Sequence, residues 1–398
     1  MSERTATGGA AGYLRDLSLS AIVAGFVTVL VGFASSAVIV FQAAQSLGAS
    51  PDEISSWIWA LGLGMGVTCI GLSLRYRVPV VTAWSTPGAA MLITTTSGLP
   101  LSQAIGAFVL SALLILVAGF SGWFERGMRK IPLSLASGML AGVLLRFGLD
   151  AFVAMQTQLG MALAMLVVYL CGRRWFPRYA VIATLLVGVA IAAGAGTLRL
   201  NEVHLELARP IFTMPTLSLA AVFGIALPLF IVTMASQNVP GVAVIRASGF
   251  DVPISPVIGW LGAVNAVLAP FGAYALNLAA ITAAICMGRE AHEDPARRYM
   301  AAVFAGIFYL VVGLFGATIA ALFAAFPKEL VMAIAGIALF GTIGNSLAAA
   351  LREEQDREPA LITFLVTASG LTLGGIGSAF WGLLAGVAVL LVLRRKPA

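Results

Sequence analysis

Hydroxyl and amide side chains interrupt two of the apolar stretches in this sequence. The first stretch contains Ser85 and Thr86 followed by Pro87, and the second contains Asn277. A hydroxyl followed by proline is typical of a helix N-terminus, because the side chain accepts a hydrogen bond from a free backbone N–H and proline needs no donor there. We predict that Thr86 and Asn277 each cap a helix that begins inside an apolar segment.

Two helix N-termini that face one point would make an anion site without lysine or arginine. Each N-terminus carries about half a positive charge together with unpaired N–H groups. The alternative is that Pro87 only kinks a continuous helix and that Asn277 makes a hydrogen bond between helices. We favour the paired anion site.

A second polar group lies further along the chain, where Ser236, Gln237 and Asn238 are adjacent within an apolar run. Polar side chains at membrane depth are costly unless they face partners or a water-lined cavity. Ser35 and Ser36 hold the corresponding place in the first apolar run. Packing of small residues between helices would explain the serines. It does not explain the two amides, which we predict to contact a substrate.

Aromatic side chains near these motifs would supply the apolar walls of such a site. We predict this role for Phe33, Trp84 and Tyr274, with ordinary packing or lipid contact as the alternative for each. The complete set of candidate substrate-binding residues is Phe33, Ser35, Ser36, Trp84, Ser85, Thr86, Ser236, Gln237, Asn238, Tyr274, Leu276 and Asn277.

The elements that hold these residues follow from composition. The 398 residues are 60% hydrophobic and 10% charged, whereas about 25% of the residues in a typical soluble domain are charged. The chain is therefore predicted to be an all-α membrane protein. A span takes roughly 20 apolar residues. The apolar runs predict fourteen segments near residues 17–45, 54–73, 78–97, 101–122, 131–149, 151–171, 179–197, 215–249, 254–269, 270–287, 299–323, 328–349, 359–373 and 377–393.

The basic residues support this count and predict an orientation. If both termini are cytoplasmic, nineteen of the 23 lysines and arginines fall on the inner side, and only Arg146, Arg199, Arg209 and Lys328 fall outside. Such an asymmetry is what the positive-inside rule requires. The net charge of +6 is therefore an orientation signal and not evidence of nucleic-acid binding.

An internal repeat relates the two halves of the chain. Residues 17–21 align with residues 217–221, and after a register shift Val78-Pro79 aligns with Ala269-Pro270. Seven spans is an odd number, so the second copy would be inverted in the membrane, as in secondary transporters with a midplane site. We predict a first repeat at residues 1–197, an extracytoplasmic linker at 198–214 and a second repeat at 215–398. The third and tenth segments would each be a short strand followed by a half-helix.

Three stretches carry a resemblance to a known family: residues 82–90, 235–241 and 275–284. There the chain resembles the benzoate/proton symporter family of bacterial inner membranes, over essentially its full length. The resemblance implies benzoate uptake coupled to protons and a multi-pass protein of the inner membrane. A more distant likeness to the seven-plus-seven fold of nucleobase and sulfate-type anion transporters implies a core domain (segments 1–4 and 8–11). It also implies a gate domain (segments 5–7 and 12–14), through which a homodimer would form.

One departure from that wider fold bears on the proton. Nucleobase members place carboxylates on the eighth and tenth segments, whereas this chain has amides there. A site without fixed negative charge suits an anionic substrate, but it leaves the proton carrier open. Asp150, four residues after Arg146, is a weak candidate, with an ion pair to Arg146 as the alternative role. The substrate's own carboxyl is the other candidate carrier.

Other functions remain open from the residues alone. A transporter of the same fold could carry a nucleobase or an inorganic anion, and a channel would show no saturable accumulation. An intramembrane enzyme is disfavoured because both histidines, His204 and His292, fall in predicted loops. We expect no cofactor and no metal, because the three cysteines Cys69, Cys171 and Cys286 are scattered among apolar runs.

Overall fold

The structure, a computed structural model, describes residues 16–95, 99–176, 179–198, 207–316, 318, 326–371, 373 and 378–393. Helices dominate these ranges. They are α1 Leu19–Ser46, α2 Pro51–Tyr76, α3 Thr86–Thr95, α4 Leu101–Phe120, α5 Trp123–Met128, α6 Leu133–Val153, α7 Leu159–Trp175, α8 Ala180–Gly194, α9 Leu219–Ala247, α10 Ile254–Leu268, α11 Ile281–Met287, α12 Tyr299–Leu314, α13 Lys328–Ala350, α14 Arg357–Ala368 and α15 Ser378–Leu393. Two short strands, β1 Thr82–Ala83 and β2 Asn277–Leu278, pair with each other.

Many of these helices are long and apolar enough to cross a membrane. Within the described ranges six qualify by length and composition: Pro51–Tyr76, Leu101–Phe120, Leu133–Gln156, Leu219–Ala247, Ile254–Phe271 and Pro295–Leu314. The helix α13 is a seventh if its two halves, bent by 40°, count as one span. The protein is therefore a mostly helical membrane protein. The count of fourteen stays a prediction, because the other predicted segments do not meet these measures within the described residues.

Helix positions follow the predicted segments closely, with two differences. The apolar pattern predicts that the sixth segment begins at residue 151, but α6 continues to Val153 and α7 begins at Leu159. The residues after Val153 form a 3-10 turn at Ala154–Gln156 instead of a helix start. The second difference is α5, a six-residue helix in a stretch that the apolar pattern assigns to a connection.

Glycines allow the closest helix contacts. A Cβ on Gly62 of α2 would lie 2.5 Å from the Gly313 Cα of α12. In the same way, a Cβ on Gly119 of α4 would overlap the backbone of Gly259 in α10. Small residues of this kind let membrane helices pack backbone to backbone, where van der Waals contact replaces the hydrophobic effect as the driving force.

Candidate functional site

A cavity of about 290 Å³ lies where the two strands end and the two half-helices begin. Its size is at the lower end of the range for small-molecule pockets. It is lined by Val31, Gly32 and Ser36 of α1, Met65 of α2, Ala83, Trp84, Thr86 and Pro87 of the first broken segment, Phe147 of α6, Gln237 of α9, Ala279, Ala280, Ile281 and Thr282 of the second broken segment, and Tyr309 of α12.

The strand pair brings the two broken segments together. The strands are antiparallel, with Thr82 opposite Leu278 and Ala83 opposite Asn277. The Ala279 N–H extends the pairing by donating to the Val81 carbonyl at 2.9 Å. Both following helices therefore start beside the same cavity, which the first residues of α3 and α11 line.

Extended backbone is unusual at membrane depth because its polar groups need partners that lipid does not supply. Pro79 and the β-branched residues around it disfavour a helix before β1. Side chains of α2 supply hydrogen-bond partners for this extended backbone. The Ser73 hydroxyl accepts from the Val80 N–H at 3.0 Å and donates to the Val80 carbonyl at 3.2 Å. The Thr82 hydroxyl bonds that of Thr68 at 2.7 Å. These contacts hold the first broken segment against α2.

The N-terminal cap of α3 is Ser85, so the predicted cap at Thr86 is wrong by one residue. The Ser85 hydroxyl oxygen accepts from the Gly88 N–H at 3.1 Å, and Ser85 is fully buried. The helix starts at Thr86 and Pro87 is its second residue, because proline is tolerated throughout the first turn. The Thr86 side chain is thereby left to line the cavity.

Replacing Ser85 by alanine tests this cap. Loss of an N-cap hydroxyl costs about 1 kcal/mol, so Ser85→Ala is expected to lower the thermal unfolding temperature of the purified protein. Thr86→Ala is the matched control, because it removes an adjacent hydroxyl that caps nothing. Equal unfolding temperatures for Ser85→Ala and the wild type would contradict the assignment.

The predicted cap at Asn277 is also wrong. Asn277 lies in β2, and the residue that precedes α11 is Ala280, whose side chain makes no capping hydrogen bond. The Asn277 side-chain amide donates to the Ala275 carbonyl at 2.9 Å, across a turn in which Ala275 has a positive φ of 45°. Asn277 is fully buried and is absent from the cavity lining. Its amide therefore supports the turn that leads into the strand.

The polar residues of α9 divide into two roles. Met234–Asn238 form a π-helical turn, and Gln237 lines the cavity without a hydrogen bond to another described residue. Asn238 points elsewhere: its side-chain oxygen accepts from the Leu278 N–H at 3.0 Å and its amide donates to the Met234 sulfur at 3.1 Å. The structure thus joins Asn238 to β2 and not to the cavity. Ser236 is half-buried and does not line the cavity either.

Of the three aromatic residues predicted for the site, Trp84 lines the cavity. Its indole N–H donates to the Ser36 hydroxyl at 3.0 Å, and that hydroxyl donates to the Gly32 carbonyl at 2.9 Å. Phe33 supports it from behind in an edge-to-face contact, with ring centroids 5.7 Å apart. The side chain of Ser35 lies outside the described part of the structure.

Tyr274 and Leu276 do not reach the cavity. The Tyr274 ring is buried against Trp57 and Phe108, each with a centroid distance of 5.8 Å. Leu276 is buried against the Gly64 position of α2. Both residues precede β2, where the chain passes through the packed interior before it reaches the cavity.

The predicted set does not include most of the lining residues, among them Gly32, Phe147, Thr282 and Tyr309. Thr282 follows the Asn277 motif and could have been found from its place at the start of a half-helix. Phe147 and Tyr309 are ordinary aromatics in apolar runs, so no local signal marks them. The Tyr309 hydroxyl makes no hydrogen bond to another described residue, and it would lie 3.2 Å from a Cβ at Gly32.

The cavity contains hydrogen-bonding groups but no charge. None of its lining residues is acidic, basic or histidine. No cluster of histidine, cysteine, aspartate and glutamate suited to a metal is present among the residues described. Asp150 is half-buried on α6, outside the lining, and no ion pair joins it to Arg146 in the described ranges. Hydroxyls, one amide, helix N-termini and aromatic faces can together hold a small anion with an apolar body.

Known proteins resemble the chain over nearly its full length. It is 51% identical over 373 residues to Inner membrane protein YdcO of Escherichia coli (strain K12), covering 94% of this chain and 95% of that protein. It is 41% identical over 384 residues to Benzoate membrane transport protein of Acinetobacter baylyi (strain ATCC 33305 / BD413 / ADP1), covering 96% and 98%. Among solved structures, that of SLC26A9 aligns at 13% identity and a TM-score of 0.49, covering 96% of this chain and 67% of that one.

The family assignment follows from the sequence match. Residues 15–392 match the family described as Benzoate membrane transport protein, which confirms the resemblance found at residues 82–90, 235–241 and 275–284. On this match and its two relatives, the chain belongs to the benzoate membrane transport protein family of membrane transporters.

Proposed function

We propose that the protein imports benzoate or a similar small aromatic carboxylate together with a proton. The observation that carries the proposal is the uncharged cavity lined at once by the first residues of α3 and of α11. The relative from Acinetobacter baylyi, named as a benzoate membrane transport protein, supports the choice of substrate.

The carboxylate would bind to the polar side of the cavity. Thr86 and Thr282 offer hydroxyls beside the two helix N-termini, and Gln237 offers a side-chain amide. Helix N-termini favour negative charge. Fixed carboxylates would repel the substrate, and the lining has none. Ser85, Asn238 and Asn277 act behind this surface by holding the backbone that presents it.

The ring would lie against the aromatic side of the cavity. Trp84, Phe147 and Tyr309 line it, while Phe33 packs behind Trp84. Aromatic pairs prefer offset or edge-to-face contacts. The three rings around this small cavity can make such contacts with the ring of benzoate. Tyr274 takes no part in this arrangement.

The proton removes an electrical cost. Moving one negative charge inward against an inside-negative potential costs roughly 2.3 kcal/mol per 100 mV, and a proton that accompanies it cancels the cost. The lining contains no acidic or histidine side chain. The proposal therefore places the proton on no side chain of the cavity lining, and it does not use Asp150.

The same proposal includes the architecture of fourteen spans in two inverted repeats, residues 1–197 and 215–398, joined by the linker 198–214. Equivalent details in both halves support it. Ser18 caps α1 and Ser218 caps α9, each accepting a backbone N–H at 3.1 Å. A strand followed by a short helix occurs once in each half, and glycine contacts join α2 to α12 and α4 to α10.

The grouping into a core and a gate is supported by which helices touch. The helices α2, α4, α10 and α12 pack within the first group, and α6, α13, α14 and α15 pack within the second. Phe147 is the lining residue that comes from the second group. Its contact with the cavity fits a gate that closes over the substrate. We also propose the inner membrane with both termini cytoplasmic, and a homodimer through the gate.

Uptake of labelled benzoate by proteoliposomes tests the function. An imposed pH gradient, acidic outside, is expected to drive saturable accumulation that a protonophore abolishes. Excess uracil and sulfate are expected not to compete. Accumulation of labelled uracil or sulfate under the same gradient, without accumulation of labelled benzoate, would favour a nucleobase or inorganic-anion transporter of the same fold. Uptake that does not saturate would indicate a channel.

A further inference from the structure

The short helix α5 forms a basic surface that substrate transport does not use. Its outward face and the residues after it line a shallow depression of about 680 Å³ made of Trp123, Arg126, Gly127, Arg129 and Lys130. All five residues are exposed, and Trp123 is 52% exposed. We call this surface the α5 basic patch.

The helix is amphipathic, and its position in the fold is well anchored. Phe124 and Met128, four residues apart, are buried on its inner face. The backbone N–H of Ser255, near the start of α10, donates to the Glu125 carboxylate at 2.8 Å. The Arg246 guanidinium donates to the Met128 carbonyl. These contacts fix the position of α5, and they hold the α5 basic patch on its outward face.

Exposed apolar side chains on the flanking helices indicate that α5 lies at the depth of the lipid headgroups. Phe120, at the end of α4, is 54% exposed and packs edge to face on the exposed Trp260, as expected of lipid-facing side chains. Leu133, at the start of α6, is 56% exposed. The chain thus leaves the apolar layer just before α5 and enters it again just after. Tryptophan beside arginine and lysine is the composition of a membrane interface.

The charges of the patch are only partly neutralised by the protein. Arg129 pairs with Glu125 at 2.7 Å. Burial raises the pKa of Glu125, but hydrogen bonds from Arg129 and Ser255 outweigh it and hold the pKa below its usual range. Arg126 and Lys130 make no ion pair with any described residue. Two exposed cations beside a tryptophan are left to attract a negative group.

We propose that the α5 basic patch binds the phosphate headgroup of an anionic phospholipid, with Arg126 and Lys130 contacting the phosphate and Trp123 lying among the glycerol and upper acyl region. Juxtamembrane basic residues attract anionic lipid in this way. The space beside Gly127 is open, since a Cβ there would meet nothing within 4 Å. The inference is independent of the substrate.

Native mass spectrometry of the full-length protein in detergent, titrated with phosphatidylglycerol, tests the proposal. The double variant Arg126→Gln/Lys130→Gln is expected to weaken phosphatidylglycerol binding about thirtyfold, from the contribution of two basic residues near an anionic surface. The control is Arg289→Gln/Arg352→Gln, which removes the same charge from exposed arginines outside the patch. Thermal unfolding of each variant checks that the fold is retained.

The control variant is expected to bind phosphatidylglycerol like the wild type, and phosphatidylcholine is expected to bind all three proteins weakly. Inorganic phosphate at millimolar concentration should not displace the lipid, because it lacks the apolar part that Trp123 contacts. Equal phosphatidylglycerol affinity in the test variant and the wild type would overturn the proposal. So would an equal loss in the control, which would indicate bulk charge, or displacement by inorganic phosphate, which would indicate a soluble-anion site.

Discussion

The variant Gly32→Val is expected to lower the affinity for benzoate roughly ten- to hundredfold while the protein still folds. Gly32 lines the cavity, and a Cβ at this position would lie 3.2 Å from the Tyr309 hydroxyl and 3.4 Å from the Thr282 methyl. Valine would add its methyl groups to this space, where the proposed substrate ring lies. Overfilling a packed site typically costs 1–3 kcal/mol, which corresponds to roughly a ten- to hundredfold loss of substrate affinity.

Gly71→Val is the matched control for this experiment. Gly71 is also a helical glycine, but it lies on an exposed face of α2 with nothing within 4 Å of a Cβ. Both variants are compared by uptake into proteoliposomes and by thermal unfolding. Gly32→Ala should give an intermediate affinity, because it adds one methyl group. If Gly32→Val transports benzoate with wild-type affinity, the substrate does not occupy this cavity.

Much of the helical framework could be predicted because lipid imposes strong rules on sequence. Apolar runs placed most helix ends within a few residues, as at Leu101–Phe120 and Ile254–Leu268. Strand-then-helix geometry in the first broken segment followed from Pro79 and from the hydroxyl motif before Pro87. The short helix α5 was missed, because a six-residue amphipathic helix at an interface leaves no long apolar run.

The site was harder to predict, because its residues come together only through tertiary packing. Thr86, Trp84, Gln237 and Ser36 do line the cavity. The error at Asn277 has a clear cause: an asparagine before an apolar run indicates a cap only if the helix starts at once. Here Asn277 lies in a strand that precedes the helix, and strand pairing between residues 194 and 196 positions apart leaves no local trace in the sequence.

Tyr309 lines the cavity, but no local sequence pattern marks it as a site residue. Its helix, α12, is uniformly apolar around it and packs against α1 and α2. Nothing local distinguishes it from Tyr299, which lies at the start of the same helix and bonds the Asp16 carboxylate at 2.7 Å. Only the crossing of α1 and α12 brings the Tyr309 hydroxyl to the cavity. Site residues of this kind can be identified only from the tertiary structure.

The variants Gln237→Ala and Asn238→Ala are expected to have different effects, the first on the KM for benzoate and the second on the unfolding temperature. Gln237 faces the cavity, whereas the Asn238 oxygen accepts the buried Leu278 N–H at 3.0 Å. Gln237→Ala should remove a hydrogen bond to a charged carboxylate, worth about 1.5–3 kcal/mol, and so raise the benzoate KM roughly ten- to hundredfold. Its unfolding temperature should stay unchanged.

Asn238→Ala leaves the Leu278 N–H without an acceptor in a fully buried position. An unsatisfied buried donor costs about 1–3 kcal/mol, so this variant should unfold at a lower temperature. Its uptake should fall mainly through the maximal rate, because β2 and the following half-helix lose a fixed position. If Asn238→Ala raised the KM at unchanged stability, the side chain would contact the substrate, as its sequence motif had indicated.

Gln237→Glu adds a test of charge to the test of position. Glutamate has nearly the same size as glutamine, but its carboxylate would face the carboxylate of bound benzoate in a cavity that otherwise holds no charge. Like charges at close range repel strongly in a medium of low dielectric constant. Uptake by Gln237→Glu should therefore fall further than uptake by Gln237→Ala, and should recover partly when acidification protonates the new carboxyl. Better transport by the glutamate variant than by the alanine variant would mean that this part of the cavity does not hold the carboxylate.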